Sequence, residues 1–95
     1  MSGQLIKFHT NGDISYHPST ARGSWPLKMA QELVGGYVER TRVRVEGKIR
    51  DCLVDEDGLA KQLPLNLRFY NHTGTSLLGP VLVWIPDPSP RKARS

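Results

Sequence analysis

The chain is poor in the residues that usually announce a chemistry. It has one cysteine, Cys52, which excludes an internal disulfide framework and any zinc site built from several thiolates. It has no long hydrophobic run: the longest, "LLGPVLVWIP", is about half of the roughly 20 residues that a membrane-crossing helix needs. The opening stretch "MSGQLIKFHTNGD" lacks the unbroken apolar core of a secretory signal, so a soluble cytoplasmic protein with no membrane partner is expected. Aromatic residues make up only 7% of the chain, and none alternates with its basic residues. No motif assembles a nucleophile, a base and oxyanion donors. No catalytic residue and no cofactor is therefore assigned, and a non-enzymatic role is expected.

What is present is one small domain's worth of sequence, 95 residues with a hydrophobic fraction of 38%, enough for a single core. Charge is modestly basic, 13 Lys and Arg against 9 Asp and Glu, with an isoelectric point near 9.6. Part of that excess sits in the terminal stretch "PDPSPRKARS", which holds Arg91, Lys92 and Arg94 against Asp87. The body is nearly balanced, a weak footprint for a nucleic-acid binder, which shows a clustered patch as well as a high isoelectric point. With three prolines among its last ten residues and no large apolar side chain, residues 87–95 are predicted to be a flexible basic tail on a domain spanning 1–86.

Periodicity predicts an α+β fold: four or five mostly antiparallel strands with one main helix packed on one face. "QLIKFHTNGDISYHP" reads as a hairpin turning on Asn11-Gly12, a type I′ dipeptide. With those two residues as the loop, His9 faces Ile14 and Lys7 faces Tyr16. "SWPLKMAQELVGG" reads as the main helix, capped by Ser24 and stopped at Gly35-Gly36, with Leu27, Ala30, Leu33 and Val34 as its apolar stripe. "YVERTRVRVE" and "IRDCLVD" read as strands joined at Gly47-Lys48, a register that sets Arg44 opposite Asp51 and Arg42 opposite Leu53. One face of this second hairpin carries Thr41, Val43, Val45, Cys52 and Val54, with Arg50 at its rim; the helix is expected to cover it. The other carries Arg40, Arg42, Arg44 and Asp51, and is expected to be wet or to meet a partner. Asn66 is placed to cap a short turn through "LRFY", and "SLLGPVLVW" is apolar enough for a central strand. Trp25, Leu27, Leu33, Val34, Val43, Val45, Val54, Val81 and Val83 are the expected core.

Other polar clusters read as structural. In the register above, His9 and His17 fall on opposite faces of their hairpin and His72 lies in a separate loop, so no metal ligands converge. Asp55, Glu56 and Asp57 before Gly58 form a polar turn whose carboxylates, if bathed in water, titrate normally. Cys52, between apolar neighbours, reads as a small buried side chain rather than a nucleophile.

At "ELVGGYVE", "VDEDGLAKQLPLN" and "LLGPVLV" the chain resembles an uncharacterised family of small proteins carried by bacteriophages, plasmids and their bacterial hosts. Members share a helix ending in Leu-Val-Gly-Gly-Tyr-(Ile/Val)-Glu, a hairpin running into Asp-Glu-(Glu/Asp)-Gly, a Leu-Pro-x-Asn element and a late apolar strand containing glycine. Leu33 to Glu39, Asp55 to Gly58, Leu63 to Asn66 and Leu77 to Val83 are the matching segments here. The resemblance implies a mobile-element setting and supplies no catalytic residue. The N-terminal hairpin and the basic tail depart from the family's pattern.

The remaining question is what Arg40, Arg42 and Arg44 contact. Alternate residues on a strand point the same way at roughly 6.5–7 Å intervals, similar to phosphate spacing along one strand. Against nucleic acid stand Asp51 on the same face, Glu39 and Glu46 flanking the run, and the lack of interleaved rings for base stacking. A solvated face comes first, a host protein partner second and nucleic acid third. The expected function is an accessory protein of a mobile element that binds a host macromolecule, as an inhibitor of a host defence or regulatory protein. The alternatives are a small nucleic-acid-binding protein using Arg40, Arg42, Arg44 and the tail's Arg91, Lys92 and Arg94, and, weaker, a small-nucleotide-binding module.

Overall fold

In the computed structural model, residues 3–18 and 26–86 are described. In chain order they form β1 (Gln4–Phe8), β2 (Ile14–Pro18), α1 (Leu27–Val34), β3 (Val38–Val45), β4 (Lys48–Asp55), α2 (Leu67–Thr73) and β5 (Val81–Ile85). The strands make one sheet in the order β2-β1-β5-β4-β3, antiparallel at every pairing. The class is α+β, as its periodicity predicts. The last strand enters between the two hairpins and is the central one. Its run "VLVWI" is apolar on both faces, which suits a strand with neighbours on both sides and layers above and below.

Those layers are two, not one. The expectation that the main helix covers the valine face of β3 and β4 is overturned. α1 lies on the opposite face, where Ala30 and Val34 pack with Leu5, Leu53 and Leu82, supported by Met29, Leu33, Val38 and Trp84. The valine face is closed instead by α2, whose Phe69 joins Phe8, Val43, Val45, Cys52, Val54, Val81 and Val83. Phe8 and Phe69 meet edge to face with ring centroids 5.2 Å apart. The reason lies in β4 and β5: Leu53 and Leu82 point one way and Cys52, Val54, Val81 and Val83 the other, so each face needs its own cover.

Both hairpins differ in register from the sequence reading. In the first, His9 N–H donates to the Asp13 carbonyl at 2.9 Å and Gly12 N–H to the His9 carbonyl at 3.1 Å. The loop is therefore three residues, Thr10 to Gly12, with Gly12 at φ +99° in the left-handed region, a known alternative to the two-residue turn. Phe8 consequently faces Ile14 and Lys7 faces Ser15. Asn11 still shapes the turn through its Oδ1, which accepts from Asp13 N–H at 2.9 Å. In the second hairpin the loop is Glu46-Gly47, both with positive φ, 52° and 84°, so Val45 faces Lys48, Arg44 faces Ile49 and Arg42 faces Asp51. The expected glycine-first turn is replaced by a type I′ turn, which needs positive φ at both positions.

α1 stops as predicted: Gly35 adopts the left-handed conformation and its N–H donates to Gln31. Pro26 occupies the cap position with no side-chain cap; Ser24 and Trp25 lie outside the described residues. Leu27 is 51% exposed rather than core, and Leu5, Phe8, Phe69 and Leu82, all buried, replace it. Asn66 caps α2 as expected, its Oδ1 accepting from Phe69 N–H at 3.0 Å. It also does what no local pattern foretells. Fully buried, it donates from Nδ2 to the carbonyls of Phe8 at 2.7 Å and Gly79 at 2.9 Å, tying α2 to β1 and to the start of β5.

Candidate functional site

The arginine row survives the register change because the shift is by two residues, which preserves the face each side chain points to. Arg40, Arg42 and Arg44 project from β3, the edge strand, on the face that α1 only partly covers. Arg42 Nε lies 3.4 Å from Asp51 Oδ1, so the cross-strand ion pair belongs to Arg42 and not, as the sequence register had it, to Arg44. Asp51 Oδ1 is shut from solvent and accepts no hydrogen bond, so this contact is an ion pair set at a poor hydrogen-bonding angle. With Arg42 74% exposed, solvent screening leaves the pair worth little to stability. Arg44 donates to the Gly47 carbonyl at 3.3 Å, across the turn.

Beside the row lies a feature the sequence did not announce. Arg40 shares with Leu27, Val38 and Leu53 the wall of a shallow depression of about 230 Å³. The exposed Leu27 at the start of α1 forms one lip, and the arginine row continues from the other. The signal was in the sequence only as a contradiction: Leu27 belongs to the helix stripe but falls at its first residue, where it is left 51% exposed. Arg91, Lys92 and Arg94, the other binding candidates, lie outside the described residues.

The histidine reading is corrected outright. The three-residue loop reverses β2's faces, and His9 and His17 come together on one side of the sheet. Ser15 Oγ sits between them, 2.7 Å from His9 Nε2 and 2.7 Å from His17 Nε2. Lys7, on the same face, turns away to donate to the Leu33 carbonyl at the end of α1, at 2.8 Å. Burial, then the Lys7 and His9 charges, hold the His17 imidazole below its ordinary value of 6.5. Among the described residues no group of three or more His, Cys, Asp or Glu is placed to hold a metal.

The acidic turn is also not wholly solvated. Asp55 is 6% exposed; its Oδ2 accepts from Lys61 Nζ at 2.7 Å and its Oδ1 from Asp57 N–H at 2.8 Å. The Lys61 hydrogen bond, helped by the Asp57 amide, holds this carboxyl below its ordinary range against the opposing effect of burial. The group is an internal brace between β4 and the following turn. Cys52 is fully buried, and burial followed by the nearby Asp51 charge pushes its thiol up to about 12, where almost no thiolate exists at neutral pH.

No described helix is long and apolar enough to cross a membrane. Comparison with models of known families finds no match, and neither the curated proteins nor the solved structures contain a significant relative of this chain.

Proposed function

We propose that this chain is a non-enzymatic accessory protein of a phage- or plasmid-type element that binds a host protein through the Arg40, Arg42 and Arg44 edge of its sheet. One observation carries the reading: the arginine row borders an exposed apolar depression formed by Leu27, Val38 and Leu53. Arginine beside desolvatable apolar surface is the chemistry of protein interfaces, where arginines and apolar anchors supply most of the binding energy. A phosphate backbone favours an unbroken line of cations. Here Asp51 already pairs with Arg42 within the row. The partner is expected to present an acidic strip beside an apolar side chain. The mobile-element setting rests on the sequence resemblance, and inhibition of a host defence or regulatory protein is the role that fits a small chain without its own chemistry.

Replacing Arg40, Arg42 and Arg44 together by Gln tests this. The substitutions are at exposed positions, so melting should be nearly unchanged. The wild-type chain should capture a protein from host lysate at near-stoichiometric yield after nuclease treatment, and the variant should lose it. Nucleic-acid binding is the competing outcome. It would appear as a dissociation constant for random duplex below about a micromolar at physiological salt, abolished in the variant, with the slope of log affinity against log salt flattened by up to about three.

A further inference from the structure

α2 does not close the whole of the face it packs on. At seven residues it spans about 10 Å, and its Phe69 packs among Phe8 and the valines of β3, β4 and β5. Beside it the sheet forms a trough of about 310 Å³ whose apolar lining includes the half-buried Ile6, Ile14 and Ile85, with the buried Val83 beneath. Tyr16, 63% exposed, stands on the β2 side. The His72 ring, tilted against Phe8 with centroids 5.7 Å apart, stands at the α2 end. From there His72 Nε2 reaches Glu46 Oε2 at 3.3 Å, so a bridge from α2 to the β3–β4 turn bounds the trough. Lys48 and Arg50, alternate residues of β4, line the same side. Among the described residues neither side chain has an ion-pair or hydrogen-bond partner.

We propose that this trough binds a small amphiphilic anion, a flat ring-bearing body carrying one carboxylate, sulfonate or phosphate ester, with the body on Ile6, Ile14 and Ile85 and the head group on Lys48 and Arg50. The volume falls at the lower end of small-ligand clefts, about 300–1,000 Å³, and the lining has their usual make-up, an apolar bed with a few convergent polar groups. An Arg and a Lys two residues apart on one strand face offer a forked donor and a point charge to a single oxyanion. Tyr16 and the Phe8–His72 pair supply ring surface at either end, which favours a planar body over a flexible one. The chain's own basic tail is a poor occupant, since Arg91, Lys92 and Arg94 share the sign of the rim. The site lies on the opposite face from the arginine row, so its fate does not depend on that reading.

The probe is 1-anilinonaphthalene-8-sulfonate, an aromatic monoanion that fluoresces in apolar surroundings, titrated into the full chain at neutral pH and well below its melting temperature. Saturable binding of one dye per chain is expected. Lys48→Gln with Arg50→Gln should weaken it about tenfold or more at unchanged melting temperature, and the neutral analogue N-phenyl-1-naphthylamine should bind less tightly than the sulfonate. Tyr16→Ala, at an exposed position, should weaken the dye without unfolding the chain. Displacement by adenosine monophosphate assigns a nucleotide as the natural class, and displacement by 1-naphthoate assigns an aromatic carboxylate. Equal affinity in wild type and the double Gln variant, tighter binding of the neutral analogue, or displacement by neither competitor would overturn the proposal.

Discussion

The two faces of the sheet are built on different terms. Under α2 the contact is apolar, with Phe8, Phe69 and the valines of β3, β4 and β5 packed together, and one buried asparagine fixes the helix in place. Under α1 the apolar patch is smaller and is bordered by Lys7, the His9–Ser15–His17 group and the arginines of β3. The shorter helix therefore holds more of the core than the longer one. The difference teaches that helix length does not rank an element's importance here: burial at one position, Phe69, and complete hydrogen bonding at another, Asn66, do more than a longer amphipathic stripe whose first residue is exposed.

The sharpest way to break this comparison is truncation on each side. Phe69→Ala should cost about 3–5 kcal/mol, as expected for removing a buried aromatic ring, whereas Leu33→Ala on the half-buried α1 face should cost about 1–2 kcal/mol. Denaturant unfolding of the two variants checks the ranking, and equal losses would show that α1 carries as much of the core as α2.

Asn66→Asp is expected to cost about 3 kcal/mol at neutral pH. Aspartate caps a helix as well as asparagine does, so the loss isolates the two Nδ2 hydrogen bonds and the placing of a carboxylate against the Phe8 and Gly79 carbonyls. Asn66→Ala loses the cap as well, yet it leaves no buried charge. If Asp proved nearly as stable as wild type, the tie from α2 to β1 and β5 would carry no energy, and packing alone would distinguish the faces.

The smallest effect sharpens the α1 side. His17 titrates below its ordinary 6.5 in the folded chain, so on acidification the unfolded chain takes up this proton first. Stability is then complete above 6.5 and falls as pH drops through the lower folded value. A melting series from neutral to mildly acidic pH should show that decline, and His17→Gln should reduce its slope. An unchanged slope would mean that His17 is as free in the folded chain as in the unfolded one.

Much of this architecture was legible from pattern alone. Alternation along "RTRVRV" and "CLV", the Gly35 stop, the Asn66 cap and the apolar β5 run are local signals, and local sterics and hydrogen bonding decide them. The arginine row was legible for the same reason, and an error of two residues in its register left it intact because the side-chain period of a strand is two. The histidine group was not. Asn11-Gly12 serves a two-residue loop and a three-residue loop alike, the choice changes register by one, and a change of one reverses every side chain of β2. Arg50 shows an intermediate case: its place on the valine face could be read, but not the trough beside it.

The sequence by itself determined the strands, the Gly35 stop of α1, the Asn66 cap of α2, which residues share a face within β3 and β4, and the small net charge of the body. Only the tertiary structure decided which helix covers which face, because both faces of β4 and β5 are apolar and periodicity cannot choose between two equally hydrophobic sides. It also decided the partners of Asn66, whose carbonyls come from Phe8 and Gly79, 58 and 13 residues away. The open trough follows from the same cause: α2 ends at Gly74, whose φ of 78° turns the chain away, while the sheet beneath continues, and the space left uncovered is a property of their relative placement that neither segment encodes alone.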